Sequence, residues 1–359
     1  MNYTEILNQA WQDHLAPKLP LSPTVISTFA GCGGSSLGYS MAGFRELLAV
    51  EWDEHAVRTF KANFPHVPVY HGDIAQLSVE QCLNMAGIDA GELDWFEGSP
   101  PCQGFSTSGK RKFSDNRNQL FREYVRLLRG LQPKMVLMEN VSGMVRGKMK
   151  LIFAEILREL KACGYQVSAR LLNASHYGVP QARERMIFIG VRNDLGIAPS
   201  HPLGRLALIT VKEALRDCAP SEIVPLTGKN LAKMQLLRPG ANAKEKERAS
   251  LAVFGKVSGF TLLRIKWHAP APTILKTVSV SPTFGAGLIM PDSDRYLSIA
   301  ELKRLGSFPD EFQLEGTFEE RWARIGNSVP PLLMRAIAQH IKTEILARVS
   351  FDHNMQRAA

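Results

Sequence analysis

The sequence has no apolar run approaching the roughly 20 residues that a membrane-crossing helix needs. Its longest runs are short, such as Ile187-Phe188-Ile189. Its first residues lack a basic stretch followed by an apolar one, so no secretory leader is expected. Cysteine is scarce: Cys32, Cys82, Cys102, Cys163 and Cys218 lie far apart and show no C-x-x-C spacing. That excludes a disulfide framework, offers no zinc pattern, and points to a reducing cytoplasm. No repeat or low-complexity tract is present. With 45% hydrophobic and 21% charged residues among 359, the chain is neither collagenous nor disordered, and it is long enough for one large and one smaller domain.

Acidic residues are the minority charge. The formal net charge is +9 and the pI about 9.3. A basic balance suits a polyanionic partner, because Lys and Arg gain affinity by releasing phosphate counterions. Charge alone also fits a merely soluble basic protein. Two segments concentrate it: Lys110-Arg111-Lys112 with Arg117 close behind, and Lys229 to Arg248, with six basic residues against Glu245 and Glu247.

Residues 3 to 15 carry apolar side chains on one helical face, and prolines from Pro17 to Pro23 then break the chain. Short apolar runs follow at Val25–Phe29, Leu47–Val50, Val67–Tyr70, Leu93–Phe96 and Met135–Met138. Helical patterns separate them at 34–42, 54–63, 78–86 and 118–131, and a further helix at 150–163 leads to strands at 166–172 and 186–191. This alternation predicts an α/β fold with a doubly wound, mostly parallel sheet. Residues 194–294 lose the alternation and read as a second, smaller domain, before the chain turns helical again and ends in an amphipathic helix over Val329–Arg348.

Phe29-Ala30-Gly31-Cys32-Gly33-Gly34 follows the first strand and opens a helix, where glycines let the backbone turn tightly and a ligand approach. The spacing is not G-x-G-x-x-G, which disfavours a nicotinamide oxidoreductase. Glu51 ends the second strand, where acidic residues commonly bind ribose hydroxyls, and Asp73 ends the third, where a carboxylate could accept from an adenine amino group. Alone, the turn is structural and Glu51 a solvated strand end. Three such features at successive strand ends point to an adenosine-type cofactor. After the fourth strand, Ser99-Pro100-Pro101-Cys102-Gln103-Gly104-Phe105-Ser106 fixes a thiol with two prolines, in a polar loop before a basic segment. An attacking thiolate is expected there. Glu139, ending the fifth strand, is either a polar strand cap or an acid beside that nucleophile.

Taken in order, these segments resemble the DNA cytosine-5 methyltransferases that use S-adenosylmethionine. The match runs from Phe29 to about residue 340: Phe29–Gly34 with Ala42-Gly43-Phe44, Glu51-Trp52-Asp53, Gly72-Asp73-Ile74, the Pro-Pro-Cys loop, Glu139-Asn140-Val141, Gln181-Ala182-Arg183-Glu184-Arg185, Arg295-Tyr296-Leu297-Ser298 and Gly326-Asn327-Ser328-Val329-Pro330. Residues 1–20 and most of 194–290 lie outside it.

The resemblance implies a Rossmann-like, class I methyltransferase domain over 1–193 and 324–359, a target recognition domain over 194–294, and a hinge and return segment over 295–323. Phe29 would stack on the adenine, Glu51 hold the ribose with Trp52 nearby, and Asp73 reach the amino group. Gly31, Gly33 and Gly34 would line the methionine part, with Pro101 and Asn327 completing the cofactor site. Cys102 would be the nucleophile and Glu139 the contact to the pyrimidine N3 and amino edge. Arg183 and Arg185 would serve the base or the catalytic loop, although an ion pair with a neighbour is an alternative for both. Ser106, Ser108, Lys110, Arg117 and Thr273 would face nucleic acid; Lys229 to Arg248 either contacts phosphate or is solvated.

The expected partner is double-stranded DNA, with S-adenosyl-L-homocysteine as product and no metal. The chain would be monomeric and cytoplasmic, in a restriction-modification system with a separate endonuclease or as an orphan modifier of a short sequence. A tRNA-directed relative and a non-catalytic regulator on the same fold are the alternatives. The basic insert favours DNA, and the intact Cys102, Glu139 and Arg185 favour catalysis.

Overall fold

The computed structural model describes residues 1–101, 116–145, 149–257 and 262–349. The chain divides into two compact units. One comprises Gln12–Asn173, Glu184–Gly204 and Met334–Ala359; the other comprises Met1–Trp11, Ala174–Arg183 and Arg205–Leu333.

The first unit is built on strands β1 (Thr24–Thr28), β2 (Arg45–Glu51), β3 (Val69–His71), β4 (Trp95–Gly98), β5 (Met135–Val141), β6 (Tyr165–Asn173) and β8 (Glu184–Arg192). Among the described residues these form a seven-stranded sheet in the order β3-β2-β1-β4-β5-β8-β6. The first five run parallel, and β8 is antiparallel to both β5 and β6. The order reverses between β1 and β4, so the carboxyl ends of β1, β2, β4 and β5 flank a switch point where a ligand crevice is expected.

Helices α2 (Gly34–Met41), α3 (Glu54–Asn63), α4 (Val79–Ala86), α5 (Asn116–Leu131) and α6 (Lys150–Ala162) connect the strands. Their starts are chemically marked: Asp53 Oδ1 accepts from the Ala56 N–H at 2.8 Å and Ser78 Oγ from the Gln81 N–H at 3.0 Å. Val136, Met138 and Phe96 from the sheet pack with Tyr124, Leu127, Leu128 and Leu131 from α5 in one buried core. Strand β3 starts at Val69 rather than at Val67, because Pro68 has no N–H to give to a ladder.

The second unit holds short pieces: β7 (Gln181–Ala182), β9 (Leu262–Arg264), β10 (Ala271–Pro272) and β11 (Gly287–Ile289), pairing as β7 with β10 and β9 with β11. Its helices are α7 (Val211–Ala214), α8 (Gly228–Gln235), α9 (Ala243–Phe254), α10 (Ile299–Leu305) and α11 (Phe318–Asn327). The expected terminal helix is α12 (Pro331–His340), continued by a wider π turn over Ile341–Leu346. The proline supplies the preset φ of a first helical position. α1 spans Tyr3–Leu15. No helix among the described residues is long and apolar enough to cross a membrane.

Candidate active site

The turn after β1 carries left-handed backbone. Phe29 adopts φ +58°, and Gly31 and Gly33 have φ +59° and +93°. A left-handed Phe costs free energy and persists only where its surroundings impose it. Two bonds do so here. The Ala30 N–H donates to the Val50 carbonyl at 3.1 Å, and the Gly31 N–H donates to Glu51 Oε2 at 2.7 Å. A side chain at Gly33 would place its Cβ 2.3 Å from the Phe64 ring, whereas one at Gly31 would meet nothing within 4 Å. Gly31 therefore faces open space, and Gly33 buys close packing.

Glu51 does more than end a strand. Its other oxygen accepts from the N–H groups of Trp52 and Asp53, each at 2.9 Å. A carboxylate offers about four acceptor directions. Three are taken by backbone, so Oε2 keeps one for an incoming hydroxyl. Trp52 is 75% exposed, a large aromatic face left in solvent beside that carboxylate. Asp73 uses Oδ1 to accept from the Ala75 N–H at 2.9 Å, capping the turn over Ile74–Gln76 and leaving Oδ2 outside that bond. Arg126 fixes the turn by donating to the carbonyls of Ile74 and Leu77 at 3.0 and 2.8 Å. Phe29, Gly31, Glu51, Trp52 and Asp73 thus lie at the ends of three adjacent strands, with an open approach at Gly31. A diol-binding carboxylate, an exposed ring and a second carboxylate suit the ribose and adenine of an adenosyl group, and the open turn suits its amino-acid tail.

At the ends of β4 and β5 the geometry changes. Asn140, buried, donates from Nδ2 to the Pro100 carbonyl at 3.2 Å, tying the proline segment to β5. Glu139 pairs with Arg185 at 2.7 Å between Oε1 and Nε, both side chains being largely buried. The register explains the meeting: Arg185 stands opposite Val141 and Ile187 opposite Glu139, so Arg185 and Glu139 are diagonal neighbours on one face. Arg185 also donates to the Glu184 carbonyl at 2.7 Å. Cys102, Ser106, Ser108 and Lys110 lie outside the described residues, as does the side chain of Arg117. Pro101 is exposed at the last described position before that segment.

Gln181 and Arg183 belong to the second unit and bond to backbone there. Arg183, 3% exposed, donates to the Ile274 carbonyl at 3.0 Å. Gln181 accepts from the Ile274 N–H at 3.1 Å and donates to the Leu305 carbonyl at 3.2 Å. Thr273 donates its hydroxyl hydrogen to the Ala182 carbonyl at 3.2 Å. Glutamine and first arginine thus both bond the Ile274 backbone, and the second arginine joins Glu139. In the same unit Gly326 permits a close approach, since a Cβ there would lie 2.4 Å from the Leu275 carbonyl oxygen. Asn327 follows it, exposed, as the last residue of α11.

Two buried acids escaped the sequence reading. Glu46 accepts from Tyr39, Ser27 and Ser36 hydroxyls at 2.8, 2.5 and 3.2 Å; burial pushes its carboxyl up to about 7, against those hydrogen bonds. Glu97, 2% exposed on β4, is pushed up further by burial and by the charges of Glu139 and Glu46. Neither position follows a motif. The only available signal was a charged residue inside an apolar strand run.

A mostly parallel α/β sheet with acids at successive strand ends defines a nucleotide-type cofactor fold, with an acid–guanidinium pair on the strand that Asn140 ties to Pro100. A family model described as C-5 cytosine-specific DNA methylase matches residues 23–343. The chain belongs to the C-5 cytosine-specific DNA methylase family. It is 34% identical over 343 residues to the type II methyltransferase M1.HphI of Haemophilus parahaemolyticus, covering 89% of this chain and 87% of that one. It is 33% identical to M.XorII of Xanthomonas oryzae pv. oryzae, covering 89% and 84%. A solved structure assigned as a DNA modification methyltransferase encoded within an E. coli prophage superposes with TM-score 0.70 at 28% identity, covering 90% of this chain and all of that one. Spodoptera frugiperda DNMT2, at 18% identity and TM-score 0.64, shares the fold. The chain is accordingly a DNA (cytosine-5) methyltransferase whose methyl donor is S-adenosylmethionine.

Proposed function

We propose that this chain methylates C5 of a flipped-out cytosine in duplex DNA at a specific short sequence, through a transient bond between Cys102 and C6. The observation that carries this reading is the buried Glu139–Arg185 pair at 2.7 Å, tied through Asn140 to the segment leading to Cys102. C5 of cytosine is a weak nucleophile. Addition of the Cys102 thiolate to C6 breaks the aromatic system and makes C5 an enamine carbon. Glu139, oriented by Arg185, stabilises the added charge by sharing a proton with N3. S-adenosylmethionine supplies a sulfonium-bound, electrophilic methyl group when bound. Loss of the C5 proton to water or hydroxide then lets the ring re-form and expels the thiolate.

Glu51, Asp73, Trp52 and Phe29 hold the adenosyl part, and the turn at Gly31, Gly33 and Gly34 holds the tail, with Pro101 and Asn327 contributing. Removing the base from the stack costs a few kcal/mol. Phosphate contacts from Lys110, Arg117, Ser106, Ser108 and Thr273 offset that cost. Residues 1–193 with 324–359 form the catalytic domain, 194–294 the recognition domain, and 295–323 the return between them. The relatives' type II names support a restriction-modification role; on this reading the chain acts in the cytoplasm as a monomeric modifier beside a separate endonuclease. The donor carries its own electrophile, so no metal takes part, and chelation by EDTA leaves the rate unchanged.

Transfer of labelled methyl to duplex DNA tests the reading. Wild type should label duplex DNA and not tRNA, and Cys102→Ala should abolish the signal while still binding the donor. Label in tRNA alone would replace the DNA reading. Donor binding without label in either nucleic acid would favour the regulator.

A further inference from the structure

Glu97 is unused by the chemistry above, yet it sits beneath it. In the parallel register Glu97 stands beside Leu137, and Glu139 lies two residues further along the same strand. Side chains two apart share a face, so Glu97 and Glu139 are diagonal neighbours on one face of adjacent strands. Glu97 is 2% exposed, and its hydrogen-bond partner among the described residues is the Ser35 hydroxyl at 3.3 Å. No cation among the described residues pairs with it. The groups that face it are Glu139 from β5, Glu46 from β2, Tyr39 and Ser35 from α2, and Tyr124 from α5, whose hydroxyl hydrogen goes to the Leu137 carbonyl at 2.9 Å. Among the described residues, the cation that pairs with Glu139 is Arg185, at 2.7 Å.

Two carboxyls and one guanidinium in a buried place balance only if one carboxyl keeps a proton. We propose that Glu97 is a positioning residue for the methyl-transfer reaction: as a second, buried carboxyl on the same face as Glu139, it keeps one proton within the Glu97–Glu139 pair, and N3 of the bound cytosine draws on that proton. This rests on the assignment of Glu139 to the pyrimidine edge. The proton balance closes. When the thiolate adds to C6, N3 gains the proton, and the pair becomes two carboxylates, of which Glu139 is held by Arg185. When the thiolate leaves, N3 returns the proton to the pair. Burial, with the charges of Glu139 and Glu46, moves Glu97 in the required direction.

The test is the rate of single-turnover methyl transfer to duplex DNA from about pH 6 to about pH 9 for wild type, Glu97→Gln and Glu139→Gln. The ratio of Glu97→Gln to wild type cancels the titration of the Cys102 thiol. Expected is a ratio near one at about pH 6, where solvent supplies the proton, falling by about tenfold or more at about pH 8.5, within the range of acid–base contributions. A ratio that does not change with pH overturns the proposal and leaves Glu97 a packing residue. Glu139→Gln should lose about a hundredfold at every pH. Full activity of Glu139→Gln overturns the assignment of Glu139 itself, whatever Glu97→Gln does. Should Glu97→Gln fail to fold, infrared titration of the wild-type protein decides instead: a protonated-carboxyl band must persist at about pH 8, above the range of Glu46, and its absence there sinks the idea.

Discussion

The two units of this chain are held together by different means. The sheet unit uses strands of up to nine residues, whose apolar runs pack on both faces. The other unit has strands of two or three residues and fastens its loops with arginines. Arg264 donates to the carbonyls of Met290, Ser293 and Met234 at 3.1 to 3.2 Å, and pairs with Asp294 at 2.5 Å. Arg295 grips Glu301 at 2.7 and 2.8 Å and the Tyr296 carbonyl at 3.0 Å. Arg304 bonds Asp310 at 2.6 Å, and Arg183 bonds Ile274 at 3.0 Å. A guanidinium carries five donors in a fixed fork, so one side chain can replace a ladder of backbone bonds. The lesson is that the sheet unit spreads its stability over many weak contacts, while its neighbour concentrates it in a few residues.

The sharpest way to break that contrast is Arg264→Met. It removes one fork and leaves Asp294 and three carbonyls without it, at a cost of about 3–5 kcal/mol. Denaturant unfolding followed by limited proteolysis should show cleavage within 205–333 well before the sheet unit is cut. Equal resistance of both units would refute the concentrated-stability view.

The next effect belongs to the sheet unit and is pH-dependent. Glu46 has its folded carboxyl at about 7 against an ordinary 4.5, raised by burial. Between those values the folded chain holds a proton that the unfolded chain has lost. Stability is therefore fully present below the lower value and declines as pH rises through the upper one, by about 3 kcal/mol in all. Glu46→Gln should remove that decline between about pH 5 and pH 8, measured as the urea midpoint. An unaltered slope would mean that Glu46 titrates normally.

Smaller again is Gly98→Ala. Its new Cβ would stand 2.3 Å from Thr28 Oγ1 and 2.6 Å from the Tyr124 ring, a case of overpacking that costs about 1–3 kcal/mol. The smallest is Asn242→Ala in the second unit, which removes the cap at 3.0 Å on the Glu245 N–H and should cost about 1 kcal/mol. Together the four measurements rank anchor, buried acid, packing and cap. A cap that outweighed Arg264 would reverse the ranking.

The same contrast governs what could be read beforehand. The strands and helices from β1 to α6 follow from period and from the turn residues between them, because burial on two faces demands continuous apolar runs. Strands of two residues, as at Gln181–Ala182 and Ala271–Pro272, carry no period at all. The meeting of Arg185 with Glu139 depends on an antiparallel register that no local pattern encodes. Arg183 looks like a site residue by its spacing with Arg185, and its bond to the Ile274 carbonyl within the second unit is one that spacing could not reveal. Glu51 was legible as an acid at a strand end; its three backbone N–H partners were not, since they come from a turn folded back upon it.

The most direct measurement is incubation of the protein and S-adenosylmethionine with a duplex carrying 5-fluorocytosine at the methylated position. Fluorine cannot leave C5 as a proton does, so the sulfur–C6 bond should persist. Wild type should yield a protein–DNA band that survives denaturation and maps to Cys102, and the alanine variant should yield none. Methylation of ordinary duplex without any such band on the fluorinated one would contradict the covalent route.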